Sequence, residues 1–139
     1  MRYDLVSLTM RERLLQILVC PSCHGPLRLE GESSRGEEIA AGFLCCSRCA
    51  RAFPIRGGIP RFTAGESYVS TFSFEWKRWQ RTQFDTNSRR SSEVTFISST
   101  GTPPHELAGK LVLDAGCGAG RYMDVAARAG AEVVGVDLS

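Results

Sequence analysis

The chain has 139 residues, 42% of them hydrophobic and 23% charged, with a formal net charge of +2. This is the balance of one globular domain or two small ones, and it excludes a disordered or low-complexity chain. So mild a basic excess makes no case for a polyanionic partner, and four thiolates around a dication would bring the net charge close to zero.

Asp4, Arg11, Glu12 and Arg13 interrupt the apolar residues of the first 20 positions, which therefore read as neither a cleavable leader nor a membrane span. Six cysteines without a leader point to a reducing, cytoplasmic setting, where paired cysteines hold metal more often than they form disulfides. Thr9 and Glu12 fit a capping box, and Leu14, Leu15 and Leu18 give a short helical apolar face that ends at Cys20-Pro21. Residues 26–30 and 38–44 predict strands, with the polar run from Gly31 to Glu37 as a hairpin tip. Gly57-Gly58 and Pro60 mark a further turn.

From Glu66 to Phe84 the pattern changes to helix, with Tyr68, Phe72, Trp76 and Trp79 at i, i+4, i+8 and i+11. Thr86 to Ser92 is polar and reads as a linker. A short helix is expected over Glu93 to Ser99, with Ser92 as its cap and Gly101 past its end. Thr102-Pro103-Pro104 restarts the chain into a stub helix. LVLDAG then predicts a buried strand, followed by a glycine loop, a helix and a second strand, EVVGVD.

Cys20-x-x-Cys23 and Cys46-x-x-Cys49 are two matched pairs. A two-residue spacing lets both sulfurs of a tight turn reach one ion, and two such turns complete a tetrahedral four-sulfur site for structural zinc. Cys45 offers a three-residue alternative, but the two-residue spacing selects Cys46. His24, directly after Cys23, is poorly placed to join the same shell and reads as an exposed turn residue. A closed shell leaves no coordination position for water, so the ion holds structure and does no chemistry.

These pieces resemble a known pattern. Cys20-Pro21-Ser22-Cys23, Gly25-Pro26-Leu27, Cys46, Cys49, Phe53-Pro54-Ile55 and Gly58-Ile59-Pro60 are similar to the zinc-binding (Trm112-like) family of small activator subunits of tRNA and protein methyltransferases. The family more usually has tyrosine where this chain has Phe53, which loses a hydroxyl and keeps the ring. The resemblance covers about residues 12–62 and implies a non-catalytic element that works through a protein partner.

Gly116, Gly118 and Gly120 form a G-x-G-x-G loop between strand and helix, where the backbone turns sharply and a ligand approaches closely. A dinucleotide fold prefers a further glycine where this chain has Arg121, which disfavours the usual pyrophosphate mode. Asp137, at the end of the second strand, has two oxygens to offer both hydroxyls of a ribose. Together these segments look like the first two motifs of class I (type 11-like) S-adenosylmethionine-dependent methyltransferases. That resemblance implies that Asp114, Gly116, Gly118, Gly120 and Asp137 bind S-adenosylmethionine, and that the aromatic segment from Phe72 to Trp79 caps the cofactor. Cys117 has no neighbouring histidine and reads as a small packing residue.

The expected fold is a small α+β zinc ribbon over 1–62, a helical linker or cap over 63–108, and over 109–139 the β-α-β start of an α/β Rossmann-like methyltransferase domain. One such unit is far short of a complete methyltransferase, so the expectation is a truncated product or fragment that is inactive alone. Catalytic residues and the methyl acceptor are not legible. The rival expectation is a ribbon adaptor without activity, binding a protein or RNA, with Arg48, Arg51, Arg56 and Arg61 as its only basic cluster.

Overall fold

The computed structural model describes residues 10–35, 38–63, 84 and 91–138. The chain divides into two compact units, Met1–Ala64 and Gly65–Ser139. The aromatic run Tyr68, Phe72, Trp76 and Trp79, like Thr9, lies outside the described residues.

The first unit is an antiparallel sheet. Its strands are β1 (Met10–Arg11), β2 (Leu27–Arg35), β3 (Glu38–Cys46), β4 (Ala52–Arg56) and β5 (Ile59–Pro60). The order runs β1-β3-β4-β5, with β2 paired along the other edge of β3. Strict alternation in β4 turns Phe53 and Ile55 inward, where they join Met10, Cys20, Leu27, Ile39, Leu44 and Cys46 in one core. Leu14, Leu15, Leu18, Leu29 and Phe62 pack around it, and the Phe53 and Phe62 rings meet at 5.1 Å.

The β4–β5 hairpin has a two-residue loop, Gly57-Gly58, with φ of +58° and +77°. Two successive positive φ values are what a type I′ turn demands, and glycine adopts them without a Cβ clash. Gly58 also anchors the sheet: its N–H donates to the Ala40 carbonyl at 2.8 Å, and its carbonyl accepts from the Met10 N–H at 2.7 Å.

Two details differ from the sequence reading. The helix after Arg11 is a 3₁₀ segment, Glu12–Gln16, without a side-chain cap bond at Arg11. The Leu14 carbonyl accepts from both Ile17 and Leu18, and the chain then leaves for a bridge between Val19 and Pro26, so no longer helix fits. The hairpin tip is also shorter than Gly31 to Glu37, because β2 continues to Arg35. Gly31, at φ +62°, precedes two register shifts between Glu30 and Ser34 that absorb extra residues while pairing continues. A polar edge strand gives the same composition as a loop.

The second unit contains α1 (Ser91–Thr100), a 3₁₀ turn (Pro104–Leu107), β6 (Leu111–Ala115), α2 (Arg121–Arg128) and β7 (Glu132–Val136). β6 and β7 pair in parallel, from Leu111 opposite Glu132 to Ala115 opposite Val136. Val125 and Ala126 of α2 are buried, and an Arg128–Asp124 ion pair at 2.8 Å spans one helical turn. Leu111, Leu113 and Val136 are exposed on the sheet.

Ser92 is not the cap of α1. The helix begins one residue earlier, at Ser91, and Ser92 is fully buried within it. Gly101 does stop the helix, at φ +67°, with its N–H on the Ile97 carbonyl at 2.8 Å. The stub after Thr102 is a 3₁₀ turn with Pro103 at its N-cap position.

Candidate metal centre and glycine turn

The two cysteine pairs fold into the same local structure. In the first turn the His24 N–H donates to the Cys20 carbonyl at 2.8 Å, and the Cys20 N–H to the Gly25 carbonyl at 2.9 Å. In the second, the Ala50 N–H donates to the Cys46 carbonyl at 3.1 Å, and the Cys46 N–H to the Arg51 carbonyl at 2.8 Å. His24 and Ala50 are the two non-glycine residues of positive φ among those described, at +56° and +57°. Each turn thus needs one left-handed residue after its second cysteine.

Strands place the turns face to face. β3 delivers Cys46 from the core side of the sheet, and the Val19–Pro26 bridge closes the first turn against it. The sulfurs of Cys20, Cys23, Cys46 and Cys49 all lie within 4.8 Å of one another. Cys20 and Cys49 approach to 3.7 Å, and Cys23 and Cys46 to 3.5 Å. A tetrahedral zinc with Zn–S bonds of about 2.3 Å has S···S edges of about 3.8 Å, so the observed separations fit that ion. Cys45 lies outside the cluster, on the strand beside Arg28 and Glu30, and burial together with Glu30 raises its pKa. His24 is exposed and takes no part.

The electrostatics of the cage also call for a cation. The Cys49 and Arg48 backbone N–H groups pull Cys46 down to about 6 against burial. Burial alone would raise Cys20, but the Ser22 and Cys23 N–H groups and the neighbouring thiols bring it below its ordinary value. Cys23, despite the Gly25 N–H, is pushed up to about 12 by burial and the surrounding sulfurs. Four thiols this close do not ionise together by themselves. A dication among them removes the repulsion.

Sequence reasoning missed how tightly the cage is walled. A Cβ on Gly25 would stand 2.8 Å from the Arg48 Cβ, 3.1 Å from the Cys46 sulfur and 3.2 Å from the Cys23 sulfur. Its position just after the first cysteine turn was the available signal. Arg48 and Arg51, read only as members of a basic cluster, reach across to the first turn at the Cys23 carbonyl and the Ser22 hydroxyl.

In the second unit, Gly116, Gly118 and Gly120 all have positive φ, at +81°, +50° and +86°. The turn folds onto the end of β7. The Gly116 and Cys117 N–H groups donate to the Val136 carbonyl at 2.8 and 3.2 Å, and the Gly118 N–H donates to Asp137 Oδ2 at 2.9 Å. Gly116 faces open space, whereas a Cβ on Gly135 would collide with the Met123 and Cys117 sulfurs. Asp114 has a buried Oδ2 without a hydrogen-bond partner, and burial and then the Asp137 charge raise its pKa. A cavity of about 310 Å³ adjoins Asp114, lined mainly by apolar side chains that include Phe96, Leu107, Val112 and Met123.

Matched cysteine turns on a short antiparallel sheet, closing a four-sulfur cage, define a small metal-binding ribbon. This chain belongs to the Trm112p-like protein family, whose model matches residues 11–58. UPF0434 proteins of Azotobacter vinelandii and Stutzerimonas stutzeri are 41% and 40% identical to it over 58 residues, which is 42% of this chain and 82% of each relative. A UPF0434 protein of Burkholderia lata is 43% identical over 58 residues, 42% of this chain and 78% of the relative. Among solved structures, a complex between the Haloferax volcanii Trm112 methyltransferase activator and a candidate methyltransferase matches at 34% identity and a TM-score of 0.38, over 40% of this chain and 93% of that one. The family match ends before the glycine turn.

Proposed function

We propose that this protein acts through its ribbon as a zinc-stabilised docking element for a protein partner of the methyltransferase class. The observation that carries the reading is the closed cage: four sulfurs within 4.8 Å fill a tetrahedral shell and leave no position for substrate or activating water. What remains for function is surface. Ile17, Val19, Phe43 and Ile59 are large apolar side chains left exposed on a ribbon whose core is already filled. Membership of the Trm112p-like family, together with the activator resemblance of residues 12–62, supports a methyltransferase as the partner.

The test is complex formation between the zinc-loaded full chain and purified class I methyltransferases of its own cell, read by co-elution and by methyl transfer. Binding lost on Phe43→Asp or Ile59→Asp is the expected result. Failure of every such methyltransferase to bind or to respond would overturn the reading.

A second reading concerns residues 109–139 as the start of an S-adenosylmethionine-binding fold, with 1–62 as the ribbon and 63–108 as the segment between. It is supported by the parallel β6–α2–β7 unit and by the 2.9 Å contact that brings Asp137 to Gly118 in the glycine turn. Asp114, Gly116, Gly118, Gly120 and Asp137 would hold the cofactor, which would supply the methyl group. Amide shifts at Gly116, Gly118 and Gly120 on adding S-adenosylmethionine are the expected signal, and a spectrum unchanged at saturating cofactor would remove the reading.

A further inference from the structure

We propose that the cavity beside β6 binds a small organic ammonium ion, with Asp114 holding the charge and the surrounding side chains holding an apolar body. Alternation along β6 turns Val112 and Asp114 to the same side of the strand, and both line this cavity of about 310 Å³. Met123 and Val133 continue the apolar lining from α2 and β7. The Phe96 and Tyr122 rings, 6.3 Å apart, border it as well. A space of this size, apolar with one charged group, has the make-up of a small-molecule site.

Asp114 decides the sign of the ligand. Its Oδ2 is buried without a hydrogen-bond partner, and a carboxylate oxygen left unpaired away from water is costly. Among the described residues, no lysine or arginine lines the cavity to balance it. Arg121 lies over the Tyr122 ring instead, at 4.5 Å. The threonine hydroxyls of the lining are also committed: Thr100 donates to the Phe96 carbonyl at 2.8 Å, and Thr102 to the Thr100 carbonyl at 3.5 Å. Burial and the charge of Asp137 raise the Asp114 pKa, a shift that a cation at the carboxylate would reverse. An ammonium group brings both the missing charge and several donors. A neutral hydroxyl brings a donor alone, and an anion brings neither. The rings and branched side chains around the cavity suit a broad apolar body better than the slim stem of a lysine. Gly116, Gly118, Gly120 and Asp137 are not among the lining residues, so the inference shares only Asp114 with the cofactor reading and does not rest on it.

Titration of the zinc-loaded full chain with phenethylamine, followed through the amide shifts of Phe96, Val112 and Met123, tests the proposal. Phenethyl alcohol is the neutral counterpart of the same shape. The amine is expected to bind about tenfold more tightly than the alcohol, as a charge-assisted hydrogen bond exceeds a neutral one. Asp114→Asn should erase that difference. Ser99 is exposed where it lines the cavity, so Ser99→Trp fills the space without entering the core and should abolish binding of both compounds. This second variant serves if Asp114→Asn folds poorly. Amine and alcohol binding alike, an Asp114→Asn chain that keeps the preference, or no shift up to the solubility limit of the amine would each overturn the proposal. A lysine amide blocked at its α-amine should bind more weakly than phenethylamine; tighter binding would make the occupant a partner's lysine and overturn it too. S-adenosylmethionine added to the Ser99→Trp chain and read at Gly116, Gly118 and Gly120 tests the cofactor reading separately, so either can fail while the other stands.

Discussion

His24 and Ala50 occupy equivalent positions in the two cysteine turns: each follows the second cysteine of its pair, each has φ near +57°, and each N–H closes onto the carbonyl of the first cysteine. A left-handed conformation disfavours any residue with a Cβ. Replacing His24 or Ala50 by glycine is therefore expected to stabilise the zinc-loaded ribbon by about 0.5–1 kcal/mol, after allowing for glycine's greater freedom when unfolded. His24→Val should act in the opposite direction. Thermal melts of the zinc-loaded variants check both signs.

Loss of a ligand should be severe. A structural zinc contributes on the order of 10 kcal/mol, comparable with the entire stability of a small domain. Cys20→Ser or Cys46→Ser is expected to abolish zinc binding and unfold the first unit, as should a strong chelator. Cys45→Ser is expected to keep one zinc per chain. Elemental analysis and circular dichroism separate the two outcomes.

Gly25→Ala places a methyl group 2.8 Å from the Arg48 Cβ and about 3 Å from two sulfurs. Neither neighbour is the far end of a flexible side chain, so the two turns must part. A loss of about 1–3 kcal/mol is expected, seen as weaker zinc binding in competition with a chelator.

Acid should empty the cage within a defined range. Cys46 is held at about 6, against an ordinary 9.0. A depressed pKa contributes stability that is complete above the unfolded value and is lost as pH falls through the folded one. The bound ion extends the thiolate range lower still. The ribbon should hold zinc at pH 7 and release it below about 6. Zinc content after equilibration across pH measures it.

In the second unit, Gly135→Ala would bring a methyl group to 2.8 Å from the Cys117 sulfur and 2.5 Å from the Met123 sulfur. Met123 is long and can swing aside, but Cys117 is short and belongs to the turn. The expected result is faster amide exchange at Gly116 and Gly118, with partial recovery in the Gly135→Ala, Cys117→Ala double variant.

The cysteine turns were legible because their chemistry lies in spacing, which a sequence displays directly. The strand–turn–helix–strand order of residues 111–136 was legible through the run of apolar residues around the glycines. Other features depend on neighbours distant in sequence. Whether Glu12 begins an α-helix or a 3₁₀ turn is decided by the Val19–Pro26 bridge. Ser33 reads as loop but pairs with Ala41 through a bulge, because an edge strand can be as polar as a turn. The inward position of Ser92 depends on where α1 begins, a boundary that composition locates only to within a residue or two. Gly25 and Arg48 meet only after the two turns have come together.

The double hydrogen bonding of Gly58 has a consequence for the order of assembly. A single residue fastens the opening strand, at Met10, to the middle of the sheet, at Ala40. During synthesis the opening strand can pair with Glu38 and Ile39 early, but its bond to Gly58 must wait for the last hairpin to leave the ribosome. The cage, whose final ligand is Cys49, can therefore take up its ion before that last bond is made.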